Sequence, residues 1–192
     1  MVDFSPVANK EMKLLQFSEQ FSIDDLRNAA NESIDFMLDL IEDMDDAAIT
    51  FDPSDEGASD PYAVDGEENI GWSIAHLIAH VTSSSEEGAA FSSLLARGVE
   101  AEERPRYETP WKDITTNAQC VQRLEESRRM RLAYLDTWPD TPFLDVQRKV
   151  SEGFVEYFGN INATASFLFG LYHEVNHYEQ MKDVAAQIKS AK

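Results

Sequence analysis

Apolar residues recur at steps of three and four in four separate stretches of this chain, and that spacing limits more than any other feature what it can fold into. The first stretch begins at Ser22, with Asp25 three residues on in a capping pattern, and continues through Leu26, Ala30, Ile34, Met37, Ile41 and Met44. Those steps draw one stripe along a helix of about six turns. Ser73 has the chemistry of an N-cap for a second helix, followed by Ile74, Leu77, Ile78, Val81, Ala89, Phe91, Leu94 and Leu95, with Gly98 to end it. Thr116 and Gln119 form a capping box for a third, whose Val121, Leu124, Leu132 and Leu135 turn inward before Pro139. Asn160 or Asn162 opens a fourth, marked by Ala165, Phe169, Val184 and Ile188 and running almost to the C-terminus. Four such helices bury their stripes against one another. The expected fold is all-α: a single four-helix bundle domain over residues 22–192, preceded by a lead-in over residues 1–21.

The connections are less regular. Residues 45–68 are dense in Asp and Glu, hold no Lys or Arg, and are broken by Pro53, Gly57, Pro61 and Gly66. They read as a long solvated loop, because the D-x-[DN]-x-[DN]-G grammar of a calcium loop is absent. Residues 98–116 form a second charged connection containing Pro105 and Pro110. β-formers around Ser151-Glu152-Gly153, within residues 143–158, predict a short β-hairpin before the last helix. Long connections permit a crossover as well as simple up-down wiring, and periodicity does not choose between them.

Charge and cysteine content narrow the setting. With 36 acidic and 16 basic residues in 192, the formal net charge is −20. A duplex-DNA or RNA binder needs a basic stripe to neutralise phosphates, and anionic membranes repel such a surface. No partner nucleic acid or membrane is expected. The N-terminus lacks a basic segment followed by an apolar one, and no apolar run approaches the ~18 residues of a membrane span. A lone cysteine, Cys120, fits a reducing compartment and a packed thiol. The expectation is a cytoplasmic protein.

All four histidines fall into two i, i+4 pairs, His76 with His80 and His173 with His177, each on an expected helix. That spacing puts both rings of a pair on one helix face, the usual protein half of a divalent-metal site. Residues 173–177 also spell HExxH, in which Glu174 would serve a zinc protease as general base. Against that reading, Gln180 stands where the extended motif has glycine, and the residues that follow offer only Glu179 and Asp183 as carboxylate ligands. Glu174 and Tyr172 are instead expected to point away from a metal, as surface or packing residues. Arg123, Arg128, Arg129 and Arg131 crowd the third helix among Glu125 and Glu126, and read as salt-bridged helix surface or as a cluster for an anionic substrate.

Trp72-Ser73-Ile74 followed by His80, and His173-x-x-x-His177-x-x-Gln180, resemble the DinB/YfiT-like superfamily over roughly residues 22–190. Thr50-Phe51-Asp52-Pro53 is similar to that family's turn into the loop before the tryptophan. The resemblance implies up-down-down-up connectivity and a homodimer. It also implies a divalent metal, commonly nickel or zinc, held by His80, His173 and His177. His76 and Gln180 would then support the ligands from behind, with a fourth-ligand role for His76 as the alternative.

Three neutral imidazoles on a divalent ion leave a coordination position open, as in catalytic sites. The ion would lower the pKa of a bound water or of a thiol cosubstrate. The functional expectation is a metal-dependent enzyme acting on a small molecule, of the S-transferase type using a low-molecular-weight thiol, or a hydrolase. The alternative is a non-enzymatic metal-binding bundle of the stress response.

Overall fold

The computed structural model describes residues 1–55, 70–100 and 108–191. The acidic loop beyond residue 55 and the middle of the charged connection lie outside the described residues. The lead-in forms two short helices, α1 (Ser5–Ala8) and α2 (Leu14–Ser18). They bury Phe4, Val7, Leu14 and Phe17 against Leu26, Ala30, Leu168 and Leu171 of the bundle.

Local chemistry sets where each helix begins. Helix α3 (Ile23–Ile41) starts on Ser22, whose hydroxyl accepts from the Asp25 N–H at 3.2 Å while its own N–H donates to the Asp25 carboxylate at 2.8 Å. This is the capping box that the sequence spells. A turn of helix follows, α4 (Asp46–Ile49), capped by the Asp45 carboxylate. Helix α5 (Ile74–Ala96) is capped by Ser73, and α6 (Asn117–Asp136) by Thr116 with Gln119 reaching back. Between them Trp111–Asp113 makes one 3-10 turn. Asn117 also donates to the Ile41 carbonyl at 2.8 Å, satisfying an acceptor that the end of α3 leaves open.

Two expectations change near the C-terminus. Residues 143–158 form no hairpin: Ser151 caps a short helix, α7 (Glu152–Phe158), and the extended pairing among the described residues is the single bridge Arg148–Ile161. Phe154 and Phe158, one helical turn apart, both bring their rings onto Phe169, and burying that aromatic face outweighs strand propensity. Gly159, with φ of 82°, ends α7 in a backbone conformation that glycine adopts without strain. The fourth long helix is also not continuous. Asn162 caps α8 (Ala163–Asn176), His177 stands at its end, and α9 (Tyr178–Ala191) restarts.

Side-chain pairs establish the wiring. Arg27 meets Asp136, and Asn117 meets Ile41, so α3 and α6 run antiparallel. Arg123 meets Thr82, and Thr137 meets Ser93, so α5 and α6 run parallel. His80 meets His173, and Gly88 meets Ser166, so α5 and α8 run antiparallel. The bundle is therefore up-down-down-up. Among the described residues there is no strand, and no helix is long and apolar enough to cross a membrane.

Helix α5 departs from a simple amphipathic stripe, because it is buried on almost every face. Its small residues let neighbours close in. A Cβ on Gly88 would stand 2.8 Å from the Ser166 carbonyl oxygen, and one on Gly170 would stand 2.8 Å from the Ser85 Cα. Its two acids are buried with partners: Glu86 with Arg123, and Glu87 with Arg148.

The core also holds an ion pair. Arg131 and Glu174, both 0% exposed, meet at 2.6 Å. Glu174 further accepts from the Ser85 hydroxyl at 2.7 Å and the Tyr178 hydroxyl at 3.0 Å, while Arg131 donates to Ser33 and Ser127. Burial, and then the Glu174 charge, push the Tyr178 hydroxyl far above its ordinary pKa, so it stays a neutral donor. This corrects the surface reading of Arg131, and of the two expectations for Glu174, surface or packing, it is packing that holds. Arg128 keeps the surface reading, pairing with Asp35 and Glu125 at the bundle edge. Cys120 is buried, and burial pushes its thiol up to about 12, so it remains protonated and packed.

The backbone contact at Gly170 predicts that Gly170→Val lowers stability by about 1–3 kcal/mol in urea denaturation despite its gain in helix propensity. Stability equal to the parent would contradict the packing described. Glu174→Ala is expected to cost about 3–5 kcal/mol by stranding a buried guanidinium, and the Arg131→Met/Glu174→Leu pair far less. A double variant as unstable as Glu174→Ala would show that the pair itself holds the bundle together.

Candidate metal centre

The α5–α8 seam determines what the histidines meet. Ser73 fixes the start of α5, which places His80 in its second turn. The antiparallel α8 brings His173 in its last turn alongside, and the helix break sets His177 at the corner between α8 and α9. The Nε2 atoms of His80 and His173 lie 3.3 Å apart. One donor nitrogen from each of His80, His173 and His177 falls within 4.8 Å of the others. Two nitrogens held by one tetrahedral ion at about 2.0–2.1 Å are separated by about 3.3 Å, so the His80–His173 spacing is that of two ligands of one ion.

The surroundings orient the rings. Nδ1 of His177 lies 2.8 Å from Oε1 of Gln180, which can only accept, so the proton sits on Nδ1 and the Nε2 lone pair is free for a metal. The Gln180 amide in turn donates to Asp55 at 2.9 Å. Burial and the neighbouring His80 hold the His177 pKa below its ordinary value, more than the Gln180 bond restores. His177 is therefore neutral, as a ligand must be. Behind His80, Nδ1 stands 3.6 Å from a Glu108 carboxylate oxygen, which also meets the Ser83 hydroxyl at 3.4 Å.

Trp72 walls the cluster on one side. Its ring stands edge-on to His80 at 4.7 Å and parallel to His177 at 5.6 Å. His76 does not join the triad. It is buried and stacked between Trp72 at 4.4 Å and Trp111 at 4.6 Å. Glu174 points into the core to Arg131, which removes the general base that an HExxH protease would need. Tyr172 packs on Phe4 and Phe158, as a packing residue should.

Glu108, Asp55 and Trp111 are participants that the sequence alone does not reveal. The first two lie in acid-rich connections where no spacing distinguishes one carboxylate from the next, and Trp111 sits in an irregular segment. Gln180, in contrast, belongs to the His173-x-x-x-His177-x-x-Gln180 stretch that carries the family resemblance, and it does meet His177.

No curated protein and no solved structure matches the chain. The family model described as DinB superfamily matches residues 29–181, a stretch that takes in most of the bundle and all three clustered histidines. On that match and this architecture, the chain belongs to the DinB superfamily.

Proposed function

We propose that His80, His173 and His177 hold one divalent ion, nickel or zinc, and that the protein is a metal-dependent enzyme acting on a small molecule by thiol transfer. The observation that carries this reading is the convergence of three imidazole nitrogens within 4.8 Å, one of them with its tautomer set for ligation. Imidazole donors suit zinc, nickel and copper, and a carboxylate-free set of three leaves the ion its full positive charge. When bound, such an ion supplies Lewis acidity that makes a thiol, or a water in the hydrolytic variant of the reaction, a nucleophile near neutral pH.

The chain's own groups would support that chemistry by position. Gln180 and Asp55 keep His177 from rotating, and Glu108 steadies His80. Trp72 closes one side with an apolar ring, which limits water around the nitrogens. The inward turn of Glu174 leaves no carboxylate of the HExxH pattern beside the cluster, which disfavours peptide hydrolysis.

Metal titration with elemental analysis tests the reading. The parent should take up about one ion per chain, and alanine at His80, His173 or His177 should remove most of that uptake. Gln180→Ala should weaken it about 10–100-fold, and His76→Phe should leave it nearly unchanged. Affinity should fall as pH drops through about 6.5, where protons compete for imidazole nitrogens. The metal-free protein should also lose stability as pH falls from that ordinary value toward the depressed value of His177, because the unfolded chain takes the proton first. Undiminished uptake in the His173→Ala/His177→Ala variant would overturn the proposal.

A further inference from the structure

A hollow of about 360 Å³ lies between α7 and α8, bordered by Tyr157, Phe158, Phe169, Tyr172, His173 and Asn176. The last four stand at i, i+3, i+4 and i+7 of α8, so one helix face carries them all. His173 thus has two surroundings. Its Nε2 meets that of His80 at 3.3 Å in the histidine cluster, and its side chain also borders the hollow.

The rings of the wall pack edge to face. Phe158 stands nearly perpendicular to Phe169 and to Tyr172, with centroids 5.2 and 5.6 Å apart, and tilted to Tyr157 at 4.5 Å. This is the arrangement that the charge distribution of aromatic rings favours. The array is not closed, because Tyr157 is 38% exposed. The lead-in, outside the matched residues 29–181, braces both sides of it. Phe4 stands edge-on to Tyr172 at 5.5 Å. Lys13 donates to the Glu156 carbonyl and, at 3.1 Å, to the Tyr157 carbonyl, and the Lys10 ammonium lies 4.9 Å from the Tyr157 ring centroid.

The lining selects a kind of ligand. None of its six residues is Asp, Glu, Lys or Arg, in a chain where such residues make up 27%. A charged group seated here would lose water and find no oppositely charged side chain in the wall. A cation would also be repelled by Lys10 at the Tyr157 ring and by a divalent ion on His173. A neutral ring meets neither cost and adds a member to the aromatic array. That addition is worth about 2- to 10-fold in affinity over a saturated ring of the same shape. The volume falls at the small end of ligand pockets, about 300–1,000 Å³, and suits one ring or two fused rings.

We propose that this hollow is the substrate pocket of the histidine cluster and that it takes an uncharged aromatic ring, with the reacting group of the substrate on the His173 side. The proposal rests on the metal reading only for what the reacting group meets; recognition of the ring belongs to the aromatic wall alone.

The test compares 2-naphthylmethanol, its decahydro analogue and 2-naphthylmethylammonium by ligand-observed NMR titration of the metal-free protein. The aromatic alcohol should bind saturably, about 2- to 10-fold more tightly than the saturated one and more tightly than the ammonium. Asn176→Trp, which fills the hollow, and Tyr157→Ala, which removes part of its wall, should each weaken that binding at least several-fold, with thermal melting to check that both variants fold. No saturable binding, equal binding of the two alcohols, an ammonium bound as tightly, or indifference to both substitutions would overturn the pocket. A second readout tests its link to the cluster. Ring protons of the bound alcohol should relax several-fold faster in the cobalt(II) form than in the zinc form, and equal relaxation would overturn the assignment to the histidine cluster. Failure of either ion to bind would count against the metal reading instead, and the comparison on the metal-free protein would still decide the pocket.

Discussion

Gly88 and Gly170 let α5 and α8 approach until backbone meets backbone, and the site depends on that approach. With a side chain at either position the helices would stand further apart, because a Cβ there would fall 2.8 Å from atoms of the facing helix. At the close separation, His80 and His173 reach each other across the seam with nitrogens 3.3 Å apart. Interiors pack too densely for such a gap to be taken up elsewhere without strain. The histidine cluster is in this sense a product of helix packing two turns along α5 and one turn along α8 from it.

The rotation of α8 about its own axis is the second requirement, and the buried ion pair supplies it. Glu174 lies between His173 and His177 in sequence and points into the core, where it receives Arg131, Ser85 and Tyr178. Three donors around one carboxylate offset the desolvation that would otherwise make a buried charge untenable. With Glu174 held inward, the residues one before and three after it are turned to the α5 side of the helix, where His80 waits. Tyr178, the first residue of α9, donates across the helix break to the same carboxylate, so the corner that presents His177 is tied to the core. The same polar network thus specifies the fold's interior and the aim of two of the three clustered histidines.

Much of this was legible in the sequence, for physical reasons that can be named. The caps at Ser22, Ser73, Thr116 and Asn162 are local chemistry, so the helix starts follow from a few adjacent residues. The i, i+4 histidines required only that their helices form and face each other. What could not be read depended on tertiary partners. Phe154 and Phe158 look like strand residues until Phe169 gives them a helix-spaced surface to cover. Arg131 looks like its neighbour Arg128 at the bundle edge until Glu174 arrives from 43 positions away. Glu108 and Asp55 lie among many other acids, and only the fold selects those two to stand behind His80 and Gln180. The break at His177 leaves no trace in composition, since neither glycine nor proline marks it.

We propose that three imidazoles, one from α5 and two from the α8–α9 corner, bind a single divalent ion. X-ray absorption fine structure of the zinc-loaded protein reads that shell directly. An ion held by these residues gives three imidazole nitrogens at about 2.0–2.1 Å, with the outer-ring scattering that identifies histidine, and their loss in the His80→Ala/His173→Ala/His177→Ala variant. A shell of oxygens alone, or one that survives in that variant, would place the ion on the acidic surface and contradict it.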